Sequence, residues 1–526
     1  MQVALNCILI VAMSIGFLLS SKKALHMFQQ NRYELGRYTT WLKENIVMNM
    51  KDNLFVTAFM TLIFAVGILW QNVVLTTIVC VLVFIFDYMQ YFITSHTSYI
   101  KPLVYTGRVK RQIAVLVILY VLWMFILSHF ELLVSFSLVT CYCVAWILIY
   151  LVGLITSPIE AAVRKSYLND AKRILEQHQG LIKIGITGSF GKTTTKNIMQ
   201  AMMSEEYNSL MTPASYNTPM GITRTIREML RPIHQVFVCE MGADHVGDIQ
   251  ELMDFVHPNI GVVTSIGPQH LNTFGSLDNI IKEKMKMIEM LPQDGFGILN
   301  YDNEYIRNYS LKNKVETVTY GVQHTDVDFY AKDIVYGQTG TVFTIVNHED
   351  EVRVETKLLG ELNVLNILSA TACARHLGIS WQTISKAIKQ MKQVEHRLEL
   401  KKINGYTFID DAFNANPVGS AMALEVLSMM PNTRYIVTPG MIDLGEKQYE
   451  INKNFGKLML NKADFVILVG KNQTKPIKEG LLEVGYPEDK ILVVDHVSEA
   501  FHYVYSNATR VDTILLENDL PDAFNH

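Results

Sequence analysis

The chain lacks several features that mark common classes of protein. It has six cysteines among 526 residues, and none is spaced with histidine as zinc ligands are. We therefore interpret the cysteines as small buried apolar residues of a reducing compartment. The net charge of −4 gives no bulk electrostatic attraction to nucleic acid, so no nucleic-acid partner is predicted. The sequence also has no internal repeat and no low-complexity stretch.

Apolar residues are concentrated in the first 156 positions. Five runs there are long enough to cross a bilayer, which takes about 20 residues each. Lys and Arg cluster between these runs at 21–53 and 96–111, and again just after the last one. The positive-inside rule then predicts a multi-pass protein of the cell membrane, with the lipid bilayer as a partner and its catalytic domains in the cytoplasm. The five predicted spans are residues 3–20, 54–71, 73–95, 112–130 and 132–156.

A glycine-containing loop within Ile186–Lys196 carries the clearest functional signal. An apolar run that predicts a buried strand precedes it, and a run that predicts a helix follows. Backbone N–H groups and the helix dipole at such a turn favour an anion, whereas a chance glycine turn would lack this context. Lys192 is predicted to reach the β- and γ-phosphates of ATP, and the Thr193 hydroxyl to ligate Mg²⁺. The predicted nucleotide cradle comprises Gly188, Ser189, Gly191, Lys192, Thr193 and Thr194.

Strand and helix patterns alternate after Ser157, which predicts parallel α/β sheets. Glu240 directly follows the predicted strand Val236–Cys239, at a position where an acid can hold Mg²⁺ beside the γ-phosphate. His270 follows the next strand, and Lys284 lies on the helix after it. Without the loop upstream, these residues would be interpreted as a solvated acid, a structural histidine and a solvated lysine.

Several further stretches point to one family. They are Ser215–Gly221, Glu240–Asp244, His270–Ser276, Leu299–Asp302, Gly360–Asn366 and Asp410–Pro417. With the glycine loop, they make the chain from about residue 180 onward resemble the Mur ligase family, the ATP-dependent ligases of cell-wall precursors. Within the family, the resemblance is to the pentapeptide-forming branch.

The resemblance implies a reaction and a set of roles. A substrate carboxylate is phosphorylated by ATP, and an amine then attacks the acyl phosphate to form an amide. Lys192, Lys284, His270 and Arg397 are the expected catalytic residues, and Lys284 is the lysine that the family carbamylates. Thr193, Glu240 and His270 would hold Mg²⁺. The remaining nucleotide contacts implied are Asn300 to adenine, Arg397 to the phosphates and Asp411 to the ribose.

The expected fold class is an α-helical membrane domain of about five spans followed by α/β, with a P-loop central ATPase domain and a Rossmann-like C-terminal domain. The predicted domains are a transmembrane domain at 1–156, a central ATP-binding domain at 157–398 and a C-terminal domain at 399–526.

Two departures from the family bear on the substrates. Apolar runs stand where the relatives have a soluble domain that grips a UDP-sugar, and Glu517-Asn518-Asp519 replaces a Lys-Gly-Ser loop. We therefore expect a carboxylate acceptor in a membrane-presented or lipid-linked form, joined to an amine donor. The alternative function is a nucleotide-sensing membrane transport or scaffold subunit without ligase activity. The full set of ligase motifs argues against it.

Overall fold

The computed structural model describes residues 2–45, 102–129, 145–413, 415–442 and 444–519, with isolated positions between 74 and 92. It divides into two compact units, one ending at Lys165 and the other beginning at Ser166. The predicted domain boundaries after residues 156 and 398 stay predictions.

The helices and strands of the described residues alternate through most of the second unit. The helices are α1 (Gln2–Gln30), α2 (Gly107–His129), α3 (Ala145–Gln177), α4 (Lys192–Met203), α5 (Pro219–Met229), α6 (Asp248–Val256), α7 (Leu271–Phe274), α8 (Leu277–Glu289), α9 (Glu304–Arg307), α10 (Glu361–His376), α11 (Trp381–Gln390), α12 (Pro417–Ser428), α13 (Gln448–Leu458), α14 (Lys475–Glu483) and α15 (Val497–Asn507). The strands are β1 (Ile182–Thr187), β2 (Ser209–Met211), β3 (Val236–Glu240), β4 (Ile260–Val263), β5 (Phe296–Asn300), β6 (Glu316–Gly321), β7 (Phe329–Tyr336), β8 (Thr341–Asn347), β9 (Asp350–Thr356), β10 (Glu399–Ile403), β11 (Tyr406–Asp411), β12 (Arg434–Thr438), β13 (Phe465–Val469), β14 (Ile491–Val494) and β15 (Thr513–Glu517).

The first sheet has nine strands in the order β2-β3-β1-β4-β5-β6-β7-β8-β9. The pairs from β2 to β7 are parallel, and the last two pairs are antiparallel. Because parallel strands end at one edge, β1, β3 and β4 deliver the glycine loop, Glu240 and the segment after Val263 to the same place. This edge of the sheet carries the candidate site.

Successive residues of the central strands point to opposite faces of the sheet and pack into two separate hydrophobic cores. On β3, Val236 and Val238 join the cluster that packs under α4 and α10, while Phe237 and Cys239 join the cluster with α6 and α8. Burial on both faces is the reason these strands are continuous apolar runs rather than alternating ones. The sheet edge is thereby held rigidly from both sides.

The second sheet has six strands in the order β10-β11-β15-β12-β13-β14. Only the β10–β11 pair is antiparallel. Asp411 at the end of β11 is directly opposite Glu517 at the end of β15. The carboxyl edge of this sheet therefore presents two adjacent acids.

Two helices that begin beside the strand edges share one type of start. Thr218 caps α5 by accepting a hydrogen bond from the Gly221 N–H at 3.3 Å, and Pro219 follows it. Asn416 caps α12 by accepting from the Gly419 N–H at 2.9 Å, again before a proline. The capping side chain accepts a hydrogen bond from a backbone N–H that has no partner within the helix. The proline that follows fixes φ near its helical value.

The first unit contains its own core of aromatic and aliphatic side chains. Tyr38 is fully buried there and donates a hydrogen bond from its hydroxyl to the Trp146 carbonyl at 3.0 Å. Arg111 pairs with Glu160 through two hydrogen bonds of 2.7 Å. Many large apolar side chains nevertheless face outward on α1, α2 and α3, among them Ile8, Val11, Ile15, Val121, Phe125, Leu151, Leu154 and Ile155.

The predicted membrane domain of five spans is wrong. Among the described residues, one helix is long and apolar enough to cross a membrane, Ala145–Gln177, judged by length and composition. The predicted spans at 54–71 and 73–95 lie outside the described residues apart from isolated positions. Hydropathy scores each apolar run alone, whereas the structure joins the run at 3–20 to polar residues in one helix, Gln2–Gln30. Likewise α2 begins with a basic segment.

Candidate functional site

The glycine loop between β1 and α4 is clamped to the end of β4. The Ser189 N–H donates to the Ser265 carbonyl at 2.8 Å, and the Phe190 N–H donates to the Ser265 hydroxyl at 2.8 Å. Gly191 has a left-handed φ of 81°, and a Cβ there would lie 2.9 Å from Asn366 Oδ1. A residue with a side chain would meet both backbone strain and crowding at this position. The loop is thus fixed against the end of β4.

Two lysines converge on one carbonyl of this loop. Lys192 Nζ donates to the Gly188 carbonyl at 2.6 Å and to the Ser189 carbonyl at 3.3 Å. Lys284 Nζ reaches the same Gly188 carbonyl from α8 at 3.2 Å. Two ammonium groups at one loop form a positive site, which suits a polyphosphate.

Lys284 is only 2% exposed. Burial and the nearby Lys192 charge lower its pKa from 10.5 to about 7. A large fraction of this amine is therefore neutral near pH 7, and only a neutral amine can act as a nucleophile toward CO₂. The exposed Lys282, two residues earlier on the same helix, has no such environment.

Glu240 is held in place by two donors at the end of β3. Its Oε2 accepts from Lys196 Nζ at 3.1 Å, and its Oε1 accepts from Asn217 Nδ2 at 3.1 Å. Both Glu240 and Lys196 are at most 1% exposed. A carboxylate oxygen can accept more than one interaction, so this geometry orients Glu240 without exhausting its lone pairs.

Asp244 and His270 contact each other near the glycine loop. His270 Nε2 lies 3.3 Å from Asp244 Oδ1. His270 itself adopts a left-handed backbone, with φ 52°, just before α7. Asp244 is close enough to Lys192 and Lys284 to oppose the lowering of their pKa values by burial. The predicted histidine therefore lies at the same edge, facing an aspartate that the sequence did not single out.

Arg397 brings the second sheet to the glycine loop. Its guanidinium lies 4.2 Å from the centroid of the Phe413 ring. Burial lowers its pKa, whereas Asp411, Glu240 and Glu517 act in the opposite direction. Arg397 also contributes to the lowered pKa of Lys192, so the two cations are near one another. The residues on either side, His396 and Leu398, have left-handed φ angles of 56° and 49°.

Asp411 faces Arg397 from the end of β11. Its Oδ1 accepts the Leu398 N–H at 3.2 Å. Burial raises the pKa of Asp411 to about 6, although Arg397 opposes that shift. This carboxyl can accept hydrogen bonds from hydroxyl groups, which is what the predicted ribose contact requires.

Asn300 is occupied within the protein. Its amide donates to the Thr264 carbonyl at 2.8 Å, and its carbonyl accepts from the Asp302 N–H at 3.0 Å. Asn300 therefore ties the ends of β4 and β5 together. Its predicted contact with adenine stays a prediction.

The structure brings Lys192, Lys284, Glu240 and Arg397 into one electrostatic group. Sequence reasoning missed Lys196, Asn217 and Asp244 as parts of it. One signal for Lys196 was available, because it follows Lys192 by four residues and so lies on the same helix face. Asn217 and Asp244 lie within stretches that were noted only as family motifs.

Comparison with known proteins agrees with this arrangement. The model of the Mur ligase middle domain matches residues 186–374, and that of the Mur ligase glutamate ligase domain matches residues 396–517. The UDP-N-acetylmuramoyl-tripeptide–D-alanyl-D-alanine ligase of Bacillus subtilis is 30% identical over 346 residues, covering 65% of this chain and 74% of its own. The chain belongs to the Mur ligase family.

Other Mur ligases give the same result. The Haemophilus influenzae ligase of the same name is 28% identical over 318 residues, which is 59% of this chain and 68% of that protein. A crystal structure of MurF from Acinetobacter baumannii is 26% identical, covers 69% of this chain and 78% of that one, and has a TM-score of 0.60. A Thermotoga maritima MurF structure with ADP, at 24% identity and TM-score 0.61, shares the fold over 68% of this chain and 80% of that one.

The predicted family and the predicted enzyme class are confirmed. Mur ligases are ATP-dependent enzymes that form amide bonds in cell-wall synthesis, and this chain is one of these enzymes. The alternative of a transport or scaffold subunit without ligase activity is therefore set aside. The roles of individual site residues stay predictions, and their geometry is what supports them.

Proposed function

We propose that this Mur ligase joins a carboxylate acceptor presented at a membrane to an amine, through an acyl-phosphate intermediate. The observation that carries the proposed phosphoryl transfer is a group of three cations, two of which contact one carbonyl of the glycine loop. Lys192 and Lys284 donate to the same carbonyl, and Arg397 approaches from the second sheet. Charge neutralisation of a transferred phosphoryl group is the main task in such a reaction.

The loop would hold the nucleotide by its phosphates. The N–H groups at the start of α4 and the Lys192 ammonium would bind the β- and γ-phosphates of ATP. Asp411 would accept hydrogen bonds from the ribose, and Arg397 would bind phosphate across the cleft between the sheets. The two family relatives solved as MurF, one of them with ADP, share this fold.

The residues present fit Mg²⁺ in chemical type. Thr193 offers a hydroxyl oxygen and Glu240 a carboxylate that is already oriented by Lys196. Within the described ranges, no group of three or more His, Cys, Asp or Glu residues could hold a metal by itself. A Mg²⁺ ion at this loop would therefore complete its shell with phosphate oxygens and water, as it does in nucleotide enzymes. The ion would neutralise charge on the phosphates, and His270 is the remaining proposed ligand.

The proposed reaction has two steps. An oxygen of the acceptor carboxylate forms a bond to the γ-phosphorus of ATP as the bond to the bridging oxygen breaks, which releases ADP. The amine nitrogen then attacks the activated carbonyl carbon. The C–N bond forms, the bond to the phosphate oxygen breaks, and phosphate leaves while the amine gives up one proton to it or to water.

The outward-facing apolar side chains of the first unit support a location at the cell membrane. Ile8, Val11 and Ile15 follow a helical period on α1, and all are at least 44% exposed. Leu151, Leu154 and Ile155 form a similar patch on α3. Exposed apolar surface of this kind indicates contact with lipid or another partner. We therefore propose that α1, α2 and α3 hold the catalytic sheets on the cytoplasmic side of the membrane.

The function is tested by incubating the purified full-length protein with ATP, Mg²⁺ and a cell-envelope extract. We expect ADP release that depends on the extract, and an adduct whose mass equals acid plus amine minus water. Lys192→Ala should abolish both signals, whereas Lys389→Ala, at an exposed position, should leave them intact. ADP release without any amide product would overturn the proposal.

A further inference from the structure

Lys196 is a fully buried cation on α4, and it is paired with the buried Glu240. Its Nζ donates to Glu240 Oε2 at 3.1 Å and also to the Ala214 carbonyl. A buried ion pair is often no more stabilising than apolar side chains of the same volume, because both charges lose their hydration. The presence of Lys196 in this core therefore calls for an explanation other than stability.

The backbone places this ion pair beside the glycine loop. Glu240 is directly opposite Ile186 in the register of β3 and β1, so its side chain starts at the strand end from which the loop begins. Lys196 follows Lys192 and Thr193 by four and three residues on α4, and residues at these spacings are neighbours on a helix surface. The pair is thus adjacent to the residues that are proposed to bind the phosphates and Mg²⁺.

Lys196 reaches both oxygens of the Glu240 carboxylate. It binds Oε2 directly, whereas Oε1 accepts from Asn217 Nδ2 at 3.1 Å. Asn217 belongs to the segment 212–217, whose ends are tied by backbone hydrogen bonds to β3 and to the residues after it. Because Lys196 also binds the Ala214 carbonyl, it holds the middle of the same segment. Removal of Lys196 would therefore loosen Glu240 at both oxygens.

We propose that Lys196 is a positioning residue for the metal: it fixes the Glu240 carboxylate, directly and through the segment 212–217, and thereby strengthens binding of the Mg²⁺ that accompanies ATP. The inference rests on the proposed function and on the role proposed there for Glu240. It assigns Lys196 no contact with the nucleotide or with the ion.

The sign of the effect separates positioning from simple electrostatics. A cation beside a metal ligand repels Mg²⁺, so its removal would by itself strengthen metal binding. Loss of a residue that orients a metal ligand has the opposite effect, and weakens metal binding by about 10- to 100-fold. A neutral substitution of Lys196 therefore distinguishes the two roles.

The test measures binding of Mn²⁺, used in place of Mg²⁺, by electron paramagnetic resonance. The sample is the full-length protein with the β,γ-imido analogue of ATP, so turnover is not needed. We expect Lys196→Met to weaken Mn²⁺ binding about 10- to 100-fold and to leave the affinity for the analogue in EDTA unchanged. Gln200→Met is the control, one turn further along α4, where the side-chain amide donates to the Ser209 carbonyl at 2.9 Å. It should keep the Mn²⁺ affinity of the wild type.

A double-mutant cycle shows whether Lys196 acts through Glu240. Glu240→Gln should weaken Mn²⁺ binding, and adding Lys196→Met to it should cause no further loss, because the ligand to be positioned is already gone. The double variant leaves no unpaired charge in the core. If thermal melting shows that Lys196→Met alone is unfolded at the assay temperature, the comparison of Glu240→Gln with the double variant decides the question.

Unchanged or tighter Mn²⁺ binding by Lys196→Met overturns the inference, and so does a further loss in the double variant. An equal loss of affinity for the metal-free analogue also overturns it, because Lys196 would then support the nucleotide site as a whole. Failure of the wild type to bind the analogue in EDTA is a different result. It contradicts the proposed nucleotide site, and the inference with it.

Discussion

Lys192 is the residue whose role is simplest to test. It donates to two carbonyls of the glycine loop and has Arg397 nearby. Lys192→Ala should lower the rate of ADP release by about 100- to 1,000-fold, because it removes a preorganised charge at the phosphates. Steady-state assays with coupled ADP detection measure this. If the variant keeps wild-type turnover and an unchanged melting curve, Lys192 does not bind the phosphates as predicted.

Lys284 carries a second prediction at this scale. If it acts as a carbamate, Lys284→Ala should be nearly inactive and partly rescued by acetate or propionate, which restore a carboxylate near Gly188. Lys282→Ala on the same helix is the control and should keep full activity without rescue. Full activity of Lys284→Ala would instead identify an ordinary helix lysine.

The lowered pKa of Lys284 also predicts a pH dependence of stability. The unfolded chain keeps this lysine protonated up to its usual 10.5, whereas the folded protein releases the proton at about 7. Since the unfolded state binds more protons in that window, the free energy of unfolding rises with pH by up to about 1.4 kcal/mol per unit. Lys284→Met should therefore raise the melting temperature most at pH 7 or below, and least at pH 9. An advantage that grows with pH would contradict the burial argument.

The sequence reached part of the site. The cradle residues and Glu240 follow from the glycine loop and from a strand end, which place side chains at a known edge of the sheet. Lys284 was implied only by the family resemblance. Asn217 was out of reach for a physical reason. Its part in the site depends on a hydrogen bond to Glu240, 23 residues away, and such a contact is not encoded in local spacing.

At the scale of elements, the junction of β1 and α4 is the critical turn. Gly191→Ala should destabilise the protein by about 1–2 kcal/mol from left-handed backbone strain, and by more through contact with Asn366. It should also weaken ATP binding, because the loop must shift. Gly180→Ala is a matched control: Gly180 has the same φ of 81° and open space around its Cβ position. Thermal melting and nucleotide titration of both variants separate the effect of backbone strain, present in both, from that of the contact with Asn366, present only in Gly191→Ala. Equal losses in both variants would count against the crowding at Asn366.

The apolar run before Glu240 located its strand to within one residue: Val236–Cys239 was predicted, and β3 is Val236–Glu240. The antiparallel extension β7, β8 and β9 was missed, because its strands mix polar and apolar residues and are only partly buried. The five-span domain failed for a different reason: hydropathy measures composition and does not say where a helix begins or ends.

At the scale of the whole molecule, the outward-facing apolar residues of the first unit predict membrane attachment. The full-length protein should remain in the membrane pellet after an alkaline carbonate wash. Replacing Leu151, Leu154 and Ile155 together by Asn should move a large part of it to the supernatant, because each loses apolar contact with lipid.

The control is a triple replacement by Asn of three exposed apolar residues of the second unit, Ile233, Val246 and Val335. It changes as many apolar side chains and should leave the protein in the pellet. Recovery of the unmodified protein in the carbonate supernatant would refute the attachment.

Arg397 is held between two residues, His396 and Leu398, in a backbone conformation that such side chains rarely adopt. Each of these residues costs about 1–3 kcal/mol in that conformation. The contacts that hold this segment in place, the Leu398 N–H to Asp411 Oδ1 hydrogen bond of 3.2 Å among them, therefore have to offset that cost.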